Sequence, residues 1–146
     1  MRLPTTHPLR DPRFYAALAA ALPVWALLVW WKGAPEASWV TRTPGLFLLL
    51  AVVYPVLEEI VFRGLIQGEL LRRLPRRWGA LTLANLLTSA AFVAVHLLLR
   101  PSWLSAGTFP VSLVFGYFRE RTGGLAMPIA LHVFYNVGFL LLIHHG

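Results

Sequence analysis

With 146 residues, 58% of them hydrophobic and 13% charged, the chain has too little polar surface for a water-soluble domain of its size, and its mean hydropathy of +0.65 agrees. The net charge of +7 does not point to nucleic acid, because Lys and Arg punctuate apolar runs instead of gathering on one face; it reads as membrane orientation. Cysteine is absent, which removes disulfides, thiolate metal sites and a cysteine nucleophile together.

Five apolar segments follow in order, 14–31, 45–66, 78–99, 103–118 and 125–143, each close to the roughly 20 residues that cross about 30 Å of hydrocarbon. The first follows Arg2, Arg10 and Arg13, carries Pro23 and ends in Trp30, Trp31 and Lys32 where a cleavage site would have small residues, so it reads as a retained anchor. The stretch QGELLRRLPRRWG after the second segment is expected to be a short helical extension at the cytoplasmic interface, its arginines among headgroups. Gly107, Pro110 and Gly116 mark the fourth segment as kinked or partly re-entrant. The class is all-α: a polytopic helical bundle of about five transmembrane helices, one domain over 1–146, with residues 1–13 as a cytoplasmic leader. No repeat or low-complexity tract interrupts it.

Between segments, one side collects Arg2, Arg10, Arg13, Arg72, Arg73, Arg76, Arg77, Arg119 and Arg121, and the other only Lys32, Arg42 and Arg100. The positive-inside rule then places the N-terminus in the cytoplasm and the C-terminus outside, in a multi-pass inner (plasma) membrane protein.

Charge inside a spanning helix is costly unless paired or at work in a wet cavity. Glu59 and Arg63 stand four apart, about 40° round a helix, and can pair; Glu58 lies about 100° away from Glu59 and needs an external partner. On the third segment Phe92 and His96 are four apart, with Ser89 and Asn85 continuing the stripe; on the fifth, His132 and Asn136 repeat the spacing. A carboxylate beside a neutral histidine can draw a proton from water, and a second histidine and an amide can hold the oxygen of a tetrahedral intermediate. Metal-assisted hydrolysis is the alternative, with Glu58, His96 and His132 around zinc, although no H-E-x-x-H supports it. Each residue alone also has a structural reading: a Glu–Arg pair locking helices, core histidines, Asn136 as interhelical glue, Phe92 as packing. His7, His144 and His145 are read as having no part in the chemistry. The combination favours a site.

The strings EEIVFR (58–63), FVAVH (92–96) and HVFYN (132–136) match E-E-x-x-x-R, F-x-x-x-H and H-x-x-x-N in order on successive segments. The chain thereby resembles the CAAX protease and bacteriocin-processing (CPBP or Abi) family of intramembrane glutamic-type endopeptidases, which includes the Ras-converting endopeptidases. The resemblance implies a helical core over 58–136, cleavage of membrane-associated substrates and no cofactor, with zinc as the alternative. It implies Glu58 as general base, His96 as orienting the water, His132 and Asn136 as the oxyanion site, Glu59 and Arg63 as a supporting pair, and Phe92 as packing beside His96. By length the chain is similar to the small bacterial members paired with C-terminal sorting-type substrates. A leader peptide or a membrane tail of a partner protein therefore stands beside a prenylated tail as the implied substrate, and the lipid bilayer as the other partner. A non-catalytic scaffold or immunity protein of the same family is the competing function; it would need only the Glu59–Arg63 pair and packing residues.

Overall fold

A computed structural model describes residues 10–33 and 38–143; the expectations for His7, His144 and His145 fall outside that range. The bundle is all-α apart from one two-residue hairpin. Helix α1 (Pro12–Lys32) begins at Asp11, whose carboxylate accepts from the Arg13 N–H at 3.1 Å, with Pro12 in the first turn where its missing N–H costs nothing. Arg121 also binds Asp11, and its guanidinium holds that carboxyl below the ordinary carboxylate range. Gly33, at φ 81°, ends the helix. A short helix that no sequence signal marked, α2 (Ser38–Arg42), follows.

The second segment is longer than expected, a continuous 30-residue helix from Pro44 to Arg73. It consists of α3 (Pro44–Leu48), a wide π turn over Leu49–Val53, α4 (Tyr54–Glu59), a second π turn over Ile60–Ile66, and α5 (Gln67–Arg73). Pro55 lacks an N–H and its ring crowds the carbonyl four residues back, so a widened turn just before it relieves the clash. Each π turn also offers a backbone carbonyl to a neighbouring helix: Leu50 O accepts from Asn136 Nδ2 at 3.1 Å, and Arg63 O from Arg119 Nε at 3.2 Å.

The expected helical extension holds only to Arg73. Pro75 cannot continue a helix and disfavours helical backbone at Leu74; Arg77–Trp78 (β1) then pairs antiparallel with Leu81–Thr82 (β2) around Gly79 at φ 59°. The third segment therefore becomes helical at residue 83, not 78: α6 (Leu83–Leu99) is capped by Thr82, whose hydroxyl accepts from the Asn85 N–H. The fourth segment breaks at Gly107 into α7 (Trp103–Ala106) and α8 (Thr108–Thr122), which runs past Phe118 to a left-handed Gly123. Last comes α9 (Ala126–Leu142). Two helices, Pro12–Lys32 and Pro44–Arg73, are long and apolar enough to cross a membrane; α6 and α9 are apolar but only 17 residues each.

The bundle buries polar side chains beside its apolar core and turns large apolar ones outward. Glu59, Arg63, Gln67, Thr88, Ser89 and Ser112 are fully buried, whereas Leu98 and Trp30 are more than four-fifths exposed. In water that arrangement would be unstable, but in hydrocarbon an apolar exterior costs nothing and polar groups gain by facing each other. At the centre, α8 lies between α6 and α9, with Phe115, Phe118, Met127 and Leu131 in a common core that also takes Phe14 of α1. α6 and α8 come close at Gly116, where a Cβ would sit 1.9 Å from Asn85 Oδ1. Along α1, Trp25 lies so close to Gly138 of α9 that a Cβ there would fall 2.1 Å from the indole.

Candidate active site

Arg63 organises the interior. Its Nε lies 3.4 Å from Glu59 Oε2, one turn back on the same helix. Its Nη2 donates to Ser112 of α8, at 2.8 Å to Oγ and 3.1 Å to the carbonyl. The guanidinium also sits over the rings of Phe92 and Phe115, 5.0 and 5.7 Å from their centroids. From Ser112 the network runs on: its hydroxyl donates to Ser89 Oγ at 2.9 Å, which donates to Asn85 Oδ1 at 3.2 Å, while Asn85 Nδ2 donates to Leu113 O at 3.0 Å. The Asn85–Ser89 stripe thus faces protein, on α8.

Farther along, Gln67 Nε2 donates to Gly116 O and to Glu120 Oε1, and Glu120 also binds Thr82 Oγ1 and Arg77. Gln67, Ser112, Arg119 and Glu120 belong to no expected motif. A signal was nonetheless present: Glu59, Arg63 and Gln67 repeat at four-residue spacing, as do Ser112, Gly116 and Glu120, and two such stripes on apolar helices suit each other.

The two adjacent glutamates have opposite surroundings. Glu59 is sealed, between Arg63 and His132, whose Nδ1–H donates to Glu59 Oε1 at 2.8 Å. Glu58 is one-third exposed, and His132 Nε2 lies 3.6 Å from its Oε2. One imidazole therefore lies between both carboxylates, bonded to Glu59 and stacked on Phe115 at 4.7 Å with the Phe92 edge alongside. His96 lies over Phe92 at 4.3 Å, and its Nδ1–H donates to the Phe92 carbonyl at 2.9 Å. That bond leaves Nε2 of the neutral ring as an acceptor.

A cavity of about 830 Å³ opens between α1, the Pro44–Arg73 helix, α6, α7, α8 and α9, and Glu58, His96 and Asn136 all line it. Glu58 and His96 do not hydrogen-bond to each other, and His132 sits behind Glu58, outside the lining. Asn136 has committed one amide N–H to Leu50 O. Among the described residues no three His, Asp or Glu side chains converge to hold a metal ion.

Residues 39–138 match the profile of the type II CAAX prenyl endopeptidase Rce1-like family. The chain belongs to that family. The Rce1-like match covers the whole Pro44–Arg73 helix and every residue described above from Glu58 to Asn136, and with the two long apolar helices it marks a membrane protein. Among curated proteins the chain is similar to an uncharacterized 24.3 kDa protein of Escherichia coli, 34% identical over 86 residues, 59% of this chain and 38% of that protein. The chain thus spans well under two thirds of that relative. No solved structure matches it.

Proposed function

We propose that the chain is an intramembrane endopeptidase that hydrolyses a peptide bond of a membrane-associated protein or peptide, with Glu58 as the general base. The contrast between the paired glutamates carries this reading. A scaffold would need the sealed Glu59–Arg63 pair but has no use for a second carboxylate held at a cavity wall, where insertion into a membrane makes it costly.

Glu58 takes a proton from water, and the resulting hydroxide attacks the carbonyl carbon of the scissile amide. His96 Nε2 accepts the water's second hydrogen and so aligns a lone pair with that carbon. Asn136 retains a second N–H for the developing oxyanion. Glu58 then passes its proton to the departing amine as the C–N bond breaks. His132, anchored through Nδ1 on Glu59, sets its other ring nitrogen 3.6 Å from Glu58 Oε2 and stands behind that residue, outside the cavity lining, so we assign it to supporting the Glu58 side of the site instead of to the oxyanion. The mechanism needs no metal. A zinc-dependent reading draws on the same Glu59–His132 bond, since metal-bound histidines take such support, and chelation separates the two readings.

The substrate is a leader peptide or a C-terminal membrane tail, and the protein is multi-pass in the inner membrane with a cytoplasmic N-terminus. The test is turnover of apolar reporter peptides by purified protein in lipid vesicles. Glu58→Gln is expected to lose turnover with an unchanged melting temperature; retained turnover would remove Glu58 from the chemistry.

A further inference from the structure

Among the described residues, five side-chain hydroxyls line the cavity that holds Glu58, His96 and Asn136: those of Tyr54, Ser102, Ser105, Thr108 and Tyr135. Four of them are bonded to protein. Tyr135 donates to Ala17 O, Ser105 to Arg100 O and Thr108 to Ser105 O, each at 2.6 Å, which leaves Ser102 as donor to Ser105 Oγ at 3.1 Å. Tyr54 alone brings to the cavity a hydroxyl with no hydrogen-bond partner among the described residues. Its ring is half-exposed, four residues before Glu58 on the same helix. A hydroxyl without an acceptor beside apolar walls is unfavourable, and an acceptor brought into the cavity would relieve it.

We propose that the Tyr54 O–H is a second donor to the oxyanion, beside the free N–H of Asn136. This rests on the endopeptidase reading, in which Asn136 alone would otherwise hold that charge. The backbone brings the two donors together. Just before Pro55 the helix is in π register, with the Tyr54 N–H donating to Leu49 O. In the same register Leu50 O would fall to Pro55, which has no N–H, and Asn136 Nδ2 takes it instead at 3.1 Å. A helical carbonyl points toward the helix C-terminus, so the Asn136 amide is held on the Tyr54 side of Leu50. Helical side chains lean the other way, toward the N-terminus, which carries the Tyr54 ring back over the turn that contains Leu50. Glu58 leans toward Tyr54 in the same manner, and all three residues line the cavity. A base and two neutral donors thereby share one wall. When the hydroxide made by Glu58 adds to the carbonyl carbon, the C=O π electrons move to oxygen. Tyr54 and Asn136 stabilise that charge by hydrogen bonds without giving up a proton. Collapse restores the carbonyl as the C–N bond breaks and the Glu58 proton goes to the departing nitrogen.

The experiment compares the full wild-type chain with Tyr54→Phe in phosphatidylcholine vesicles, using a quenched fluorescent apolar peptide and its phosphinate analogue, whose tetrahedral anionic centre replaces the scissile amide. We expect kcat to fall by about 100-fold or more, KM and the melting temperature to stay unchanged, and the affinity for the phosphinate to fall with kcat. An unchanged kcat overturns the assignment and leaves the hydroxyl to lipid headgroups, as in an aromatic belt. A loss carried by KM alone overturns it in favour of ground-state binding. If the variant melts lower, phosphinate affinity of the folded fraction decides. Should folded wild-type protein cleave no peptide, the endopeptidase reading fails. The phosphinate then decides Tyr54 separately: weaker binding by Tyr54→Phe retains the donor, and equal binding, or none by either protein, overturns it.

Discussion

Nδ1 of His132 lies 2.8 Å from Oε1 of Glu59, although the two residues are 73 apart in the chain. The bond joins the fifth segment to the sealed glutamate, and the other nitrogen of the same ring lies 3.6 Å from Glu58. Glu59 is therefore not only half of an ion pair with Arg63 but the support that orients the ring next to the proposed base.

Removing one partner of this buried cluster leaves an uncompensated charge. Glu59→Ala or Arg63→Ala is expected to cost roughly 3–5 kcal/mol of stability, visible as lower yield and a lower melting temperature in detergent. Removing both should cost less than the two single losses combined, which a double-mutant cycle would resolve. Strict additivity would show that the pair is not coupled.

The metal-free mechanism makes turnover indifferent to chelation. Purified protein is expected to keep its activity after exhaustive treatment with a strong chelator and to carry far less than one zinc per chain. His96→Asn should leave a residue of activity, because Glu58 remains and only the water's alignment suffers. Stoichiometric zinc that departs together with activity, and restores it when added back, would establish the zinc reading.

At Gly116 any side chain meets Asn85, with a Cβ 1.9 Å from its Oδ1. Gly116→Ala must therefore displace Asn85 from its bonds to Ser89 and to the Leu113 carbonyl, and overpacking of this kind costs about 1–3 kcal/mol. Thermal melts should show the loss, and Asn85→Ala in the same chain should recover part of it. A melt unchanged by Gly116→Ala would mean that α6 and α8 do not approach this closely.

Nine Arg against three Lys or Arg across short connections set the proposed orientation. An enzymatic reporter fused after Arg77 is expected to report the cytoplasm, and one fused at the C-terminal end the outside. The reverse at both positions would invert the topology, and with it the face on which Lys32 and Arg100 lie.

Hydrophobic segments, their breaks at Gly and Pro, and the i,i+4 pairing of Glu59 with Arg63 are local properties, so the order of residues along the chain determined them. Apolar runs interrupted by charge can satisfy their backbone in hydrocarbon only as helices, and the three motifs carried the family. Local rules also had clear limits. The hairpin at 77–82 replaced an expected helix because Pro75 stops helical hydrogen bonding, and the π turns around Glu58 depend on donors from other helices, Asn136 and Arg119, as well as on Pro55. Which glutamate met which histidine was decided by tertiary packing alone: helical periodicity says where a side chain points on its own helix, but not which neighbour lies there. The packing of α9 against the Pro44–Arg73 helix put His132 on Glu59 and Asn136 at the cavity beside Glu58, and the packing of α6 brought His96 to the same cavity.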